Sequence, residues 1–246
     1  MRITQGYVSK SVMDFRFHQV YQLDDYNDRE KPFVCFGGYR YEDGCICQQH
    51  ESHITVFWTG QDALNEWGFT DRACRHVTAH PKVQKHIAKD GASCLLVKPA
   101  AFLNVQKPQT LGKKIYAYCP NSMPDYHGKK ILDELRCGGY EIVIGDGQFT
   151  QEQWRNGRAD LFYKDIFIGL CLSEFAGGGG SIIEMGLRGI NVVSNVFDLP
   201  NCIPWNSIDD VIQAIEDQTQ YIGHSNPGLA ERVWDDLDHE HNWLNI

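Results

Sequence analysis

The sequence predicts an α/β protein made of two parallel-sheet halves, and three observations carry that expectation. Short apolar runs alternate with amphipathic stretches over most of the chain, as they do where strands and helices take turns. Several of the runs are apolar throughout, the pattern of strands covered on both faces. A run of four glycines at 177–180 stands between one such strand and a helical stretch, the place where open parallel sheets take their ligands. With 246 residues, 42% hydrophobic and 22% charged, the chain is long enough for two compact halves.

Taken in order, the first fifty or so residues show only short apolar groups such as FVCFGGY (33–39), with no sustained period. HITVFWTG (53–60) then reads as a buried strand with a glycine exit, and QDALNEWGF (61–69) as a short helix. AHPKVQKHIAKDG (79–91) has apolar residues at 83, 87 and 88 and a glycine stop, which predicts a helix; SCLLVKPA (93–100) predicts a strand. LNVQKPQTLGKK (103–114) is polar and carries Pro and Gly, so the domain boundary is placed there. The expected division is a first domain over 1–107, a second over 108–225, and a C-terminal helix within 226–246.

The second half alternates more clearly. KIYAYCP (114–120), YEIVIGDG (140–147), DIFIGLCLS (165–173) and INVVSN (190–195) read as strands. HGKKILDELRCGG (127–139), TQEQWRNG (150–157), SIIEMGLRG (181–189) and SIDDVIQAIEDQ (207–218) read as helices, the last with Ser207 and Asp210 as N-cap and acidic first turn. GLAERVWDDLDHEHNWL (228–244) has apolar residues at 229, 233, 237 and 244 and predicts a final amphipathic helix.

Charge and cysteine usage narrow the function classes. A formal net charge of −9 argues against a broad basic surface for nucleic acid, although AHPKVQKHIAK (79–89) is locally basic. Nine cysteines occur without a C-x-x-C pair and in odd number, which suits reduced thiols in the cytoplasm better than a disulfide framework. MRITQGYVSKSVMDFRFHQV has no long apolar core, and no stretch reaches the length of a membrane span, so a soluble intracellular protein is expected. Cys45, Cys47, His50 and His53 are clustered but match no structural zinc spacing; buried thiols at a turn, with no metal, are the expectation. Phe33, Cys35, Val56 and Trp58 are expected in the core.

The glycine run is the sharpest feature. A helix start offers unpaired N–H groups and the positive end of the macrodipole, so Gly178, Gly179, Gly180 and Ser181 could face a diphosphate, with Glu184 accepting from ribose hydroxyls. The same glycines also suit close packing at a strand-to-helix turn, with Glu184 on a solvated face. Lys129 and Lys130 are candidate cations for a leaving diphosphate, or simply part of a solvated helix face. Asp62 is a candidate base for an acceptor hydroxyl, or a cap for the helix that follows it.

GLCLSE, the glycine turn, a helix with an internal glutamate, and then GLRGINVVSN together resemble the nucleotide-sugar site of GT-B glycosyltransferases, in particular their large retaining group. The fold the resemblance implies is two Rossmann-like domains of GT-B type, parallel sheets with helices on both faces, the first domain shortened. His127, Gly128, Lys129 and Lys130 resemble the basic, glycine-containing helix start of the family's second domain. Gly145, Asp146 and Gly147 are similar to its glycine turn near the base, and VFWTGQDAL (56–64) to a turn of its first domain. Glu174 and Glu184 stand farther apart than the paired glutamates of the retaining group. The final helix resembles the segment that crosses back to the first domain.

The resemblance implies a nucleotide-sugar donor, a UDP-sugar first, with His127, Lys129 and Asp62 in catalytic roles and no tightly bound metal. The implied acceptor is a glycan or small molecule. Short viral members of the family, acting in the host cytoplasm, make hydroxymethylated pyrimidine in DNA a further acceptor. Two other readings stand beside it: a UDP-sugar 2-epimerase of the same fold, and a non-catalytic module that binds a nucleotide or glycan. Oligomeric state is left open.

Overall fold

The computed structural model describes residues 1–10, 17–38, 40–64, 74–89, 91–100, 108–121, 123–145, 162–173, 175 and 179–246. The expected helix at 150–157 lies outside them. The chain divides into two compact units, Met1–Phe102 with Phe175–Gly178 and Leu237–Ile246, and Leu103–Glu174 with Gly179–Asp236.

The first unit holds a parallel six-stranded sheet in the order β2-β1-β3-β4-β5-β6. Its strands are β1 (Gln5–Val8), β2 (Asp24–Asp25), β3 (Phe33–Phe36), β4 (Ile54–Trp58), β5 (Arg75–Thr78) and β6 (Cys94–Leu96). Its helices are α1 (Phe17–Tyr21), α2 (Tyr41–Gln49) and α3 (Pro81–Lys89). Strand pleating sorts the side chains: Phe33, Cys35, Val56 and Trp58 pack on one face with Val83 and Ile87 of α3, so they are core. Val34, Phe36, Phe57 and Val77 pack on the other face with Phe17, Tyr21, Trp243 and Leu244. The hard-to-read opening segment supplies an inner strand, between β2 and β3. Gln5 of β1 is buried there because its amide donates to the carbonyls of Asp28 and Lys31 and accepts from the N–H groups of Asn27 and Asp28.

The second unit holds a parallel five-stranded sheet in the order β11-β10-β9-β7-β8. Its strands are β7 (Lys114–Tyr118), β8 (Ile142–Gly145), β9 (Ile166–Cys171), β10 (Asn191–Ser194) and β11 (Cys202–Ile203). Its helices are α4 (Lys129–Cys137), α5 (Gly180–Gly186), α6 (Ile208–Thr219) and α7 (Pro227–Asp235). The predicted N-cap of α6 is present: Ser207 Oγ accepts from the Asp210 N–H at 3.2 Å, and Asp210 accepts in return from the Ser207 N–H at 3.0 Å. Asn226 caps α7 in the same manner, accepting from the Leu229 N–H, with Pro227 in the first turn.

One predicted helix begins as a different helix type, and another is shorter than its pattern. QDALNEWGF forms a 3-10 turn over Gln61–Leu64, with 65–69 outside the described residues. The final helix stops at Asp235, not near 244. Asp238 instead folds the chain into a turn by accepting from the N–H groups of Glu240 and His241, and its own N–H bonds to the Pro99 carbonyl. Leu237 and Leu244 fit the helical period, but Leu244 is committed to the first unit's core, where its carbonyl accepts from the Ile3 N–H. Among the described residues no helix is long and apolar enough to cross a membrane.

Candidate functional site

In the second sheet, β8 lies on one side of β7 while β9 and the strands after it lie on the other. Connections leaving the carboxyl ends of β7 and β9 therefore diverge, which makes a crevice of the kind that binds ligands in open parallel sheets. β7 leads to α4 and β9 leads to α5, so the starts of both helices lie at this point. Gly128, at the N-cap of α4, has φ +80°, and a Cβ there would come within 2.8 Å of Leu172 Cβ, one residue beyond β9. Glycine lets the two connections close up.

His127 stands directly before that glycine. Its side chain is held edge-on between Tyr118, with ring centroids 5.1 Å apart, and Tyr126, at 5.0 Å. The residue is 7% exposed, and its Nδ1 has no hydrogen-bond partner among the described residues. Burial lowers its pKa from the ordinary histidine value, so the ring is neutral at pH 7. Lys129 and Lys130 open α4 on its exposed side. Lys129 Nζ is paired with Asp133 Oδ2 at 2.6 Å, one turn along the helix.

The glycine run is described from Gly179 onward; Gly178 lies outside the described residues, as do Glu174 and Gly147. Gly179 has φ +51°, and a Cβ at this position would overlap the Phe197 ring. At least this glycine therefore serves packing. Ser181 follows in the first turn of α5. Gly145 closes β8, and a Cβ there would overlap the Tyr116 hydroxyl.

Glu184 departs from the sequence expectation of a carboxylate open to ribose hydroxyls. It is 1% exposed, and its Oε2 accepts from the Tyr163 hydroxyl at 3.2 Å. Burial first, and the Glu184 charge second, raise the Tyr163 pKa well above the ordinary phenol value, so the phenol keeps its proton and donates. Arg188, also buried, lies over the Tyr163 ring at 4.9 Å and donates to the Glu184 carbonyl at 2.9 Å. The three side chains lock α5 against the segment before β9. Sequence reasoning singled out neither Tyr163, which lies outside the motif around the glycines, nor Arg188, although GLRGINVVSN contains it.

Asp62 departs similarly. It is 0% exposed, and its carboxylate accepts from the N–H groups of Gly38 at 3.1 Å, Thr59 at 3.1 Å and Gly60 at 2.7 Å. Burial raises its pKa to about 6, against the lowering effect of those hydrogen bonds. The side chain ties the exits of β3 and β4 together and does not stand open as a base. Asp43, which the sequence did not single out, does the same for β1 and α2. It is fully buried and accepts from Tyr7 Oη at 2.9 Å, Ser9 Oγ at 2.7 Å and the Arg40 N–H at 2.9 Å. Cys45 and Cys47 lie within α2, not on a turn. Among the described residues no group of three or more His, Cys, Asp or Glu is placed to hold a metal ion.

Two parallel-sheet units with this strand order define the class: the chain has the fold of GT-B glycosyltransferases. Among solved structures it is similar to the lipopolysaccharide outer core galactosyltransferase WaaB in its apo form, with 12% identity and a TM-score of 0.55 over 84% of this chain. It is similar to TarM with 12% identity and a TM-score of 0.55 over 89% of this chain. The aligned part spans 71% of the WaaB chain and 55% of the TarM chain. No protein-family model and no curated protein sequence matches the chain.

Proposed function

We propose that the chain is a glycosyltransferase that moves a sugar from a nucleotide-sugar donor to a hydroxyl of a glycan or small-molecule acceptor. The observation that carries this reading is His127, a buried neutral imidazole whose Nδ1 has no partner among the described residues, beside the start of α4 at the switch point of the second sheet. GT-B neighbours at the level of fold support a nucleotide-sugar donor.

In the transfer, the bond from the anomeric carbon to the diphosphate oxygen breaks and a bond to the acceptor oxygen forms. Negative charge builds on the departing diphosphate. Groups that meet this charge lower the barrier only if they bind the transition state more tightly than the bound donor. His127 supplies a ring N–H in a desolvated setting, and Lys130 and the backbone at 179–181 supply further positive ends. Lys129 exchanges its surface pairing with Asp133, an interaction worth at most about 1 kcal/mol, for the diphosphate. Gly145, at the end of β8, is assigned to the side of the nucleoside. Glu184 acts as a positioning residue through Tyr163. With Asp62 withdrawn into the fold, the acceptor proton is assigned to the leaving diphosphate oxygen.

The test is a thermal-shift panel of UDP, GDP, ADP, CDP and their common sugar conjugates, UDP-sugars first, followed by an assay for acceptor-dependent release of nucleoside diphosphate. A ligand that binds only the native state raises Tm. Stabilisation by one nucleotide, with release that depends on acceptor, is the expected result. Conversion of the donor without acceptor would indicate an epimerase, and binding without turnover a recognition module.

A further inference from the structure

The locally basic run at 79–89, which the donor site leaves unused, folds as α3 of the first unit. Val83 and Ile87 of this helix are buried in the core beneath it. At about 100° of turn per residue, Lys82, Lys85 and Lys89 therefore fall on the side turned away from that core. Lys85 and Lys89 are exposed, and Lys82 is partly so. Like charges at such spacings work against a helix, and a negative surface lying across them removes that repulsion.

Charge is segregated here. Among the described helices, α3 is the one that carries lysine with no Asp or Glu. On α4, by contrast, Lys129 and Arg136 both meet Asp133, and α6 carries acidic residues with no lysine or arginine. Lys85 and Lys89 have no ion pair among the described residues. In a chain of net charge −9, cations are thus gathered on one face. Aliphatic side chains stand beside them. Cys94 of β6 packs into the core under α3, whereas Val97 packs against the core on the opposite face. The strand period of two therefore puts Leu96 on the face that α3 covers, where it is 39% exposed. Gln84 of α3 donates to the Cys94 carbonyl at 3.0 Å and so ties the helix to this edge strand. The 3-10 turn Gln61–Leu64 also packs against α3 and ends in Leu64, likewise 39% exposed.

We infer that α3 docks the first unit on an anionic lipid surface. A row of lysines meets a plane of negative headgroups, and leucines beside the row gain from the acyl layer just below it. Nucleic acid offers the anions without such a layer. A small free anion finds only solvated lysines on a convex helix face. The inference does not rest on the donor site of the second unit, and it stands or falls separately from the transferase reading.

The test is flotation of the full chain with phosphatidylcholine vesicles, and with the same vesicles carrying about one third phosphatidylglycerol. The expected result is binding to the anionic vesicles alone, falling as salt is raised because the contact is electrostatic. Lys85→Glu/Lys89→Glu, which changes exposed side chains and should keep the wild-type Tm, should bind at least about tenfold more weakly. Leu96→Ser, with every lysine in place, should bind about threefold more weakly. A short duplex DNA, the rival anionic partner, should not bind at the same ionic strength. Equal binding to neutral and anionic vesicles, no binding to either, or full affinity in the charge-reversed variant overturns the inference. So does unchanged affinity in Leu96→Ser, or duplex DNA bound as tightly as the vesicles, since either assigns the face to a polyanion with no apolar layer.

Discussion

The carboxyl ends of the two sheets are built in opposite ways. In the first unit two buried carboxylates near those ends already have their oxygens occupied. Asp62 takes backbone N–H groups from the exits of β3 and β4, and Asp43 takes two hydroxyls and a backbone N–H. In the second unit the crevice is entered by glycines and by a buried histidine whose Nδ1 lacks a partner among the described residues. A carboxylate whose lone pairs are occupied stabilises a turn and has little left for a ligand; an unpaired nitrogen at a helix start has a hydrogen bond still to make. The teaching is that saturation of hydrogen bonds, and not residue type, separates scaffold from site.

The largest expected effect breaks the scaffold side. Asp62→Ala removes the acceptor for three backbone N–H groups at once and should destabilise the chain by about 3–5 kcal/mol, read from urea denaturation. Next comes Glu184→Ala, which leaves the Tyr163 hydroxyl without this acceptor. It should cost about 2–3 kcal/mol, whereas Glu184→Gln, which keeps an acceptor oxygen, should cost about 1 kcal/mol. A mild effect of the alanine change would return Glu184 to the solvated or ligand-facing role that the sequence suggested.

A pH series sharpens the same comparison. The Asp62 pKa is raised from 3.8 to about 6, so between these values the folded chain binds more protons than the unfolded one. Its contribution therefore lowers stability as pH rises through that window, by roughly 3 kcal/mol at most. Measured as wild type minus Asp62→Asn between pH 4 and 7, the difference in unfolding free energy should fall with rising pH. A flat difference would mean that the carboxylate is solvated. A smaller effect is expected at His127: replacement by Phe keeps a ring between Tyr118 and Tyr126 and should change stability by less than about 1 kcal/mol.

Legibility in the sequence followed the same division. The strands of the second unit were readable because apolar runs such as IFIGLC are buried on both faces, and α6 because its cap is local in sequence. β1 was not, since a four-residue strand with a buried glutamine owes its place to hydrogen bonds made by residues more than twenty positions away. The C-terminal segment misled for a related reason: apolar residues at helical spacing belonged to two different units. Of the candidate site, the glycine turn and the start of α4 were visible as motifs. What could not be seen was burial, which turned Glu184 and Asp62 from ligand-facing carboxylates into anchors and left His127 Nδ1 without a partner among the described residues.

The most direct measurement of the central claim is a calorimetric titration of the nucleoside diphosphate selected by the thermal-shift panel into wild type and His127→Phe. The account predicts that the variant, folded and equally stable, binds the diphosphate at least about tenfold more weakly, the loss of one hydrogen bond to a charged group. Equal affinity in the two proteins would contradict it and move the diphosphate away from the switch point of the second sheet.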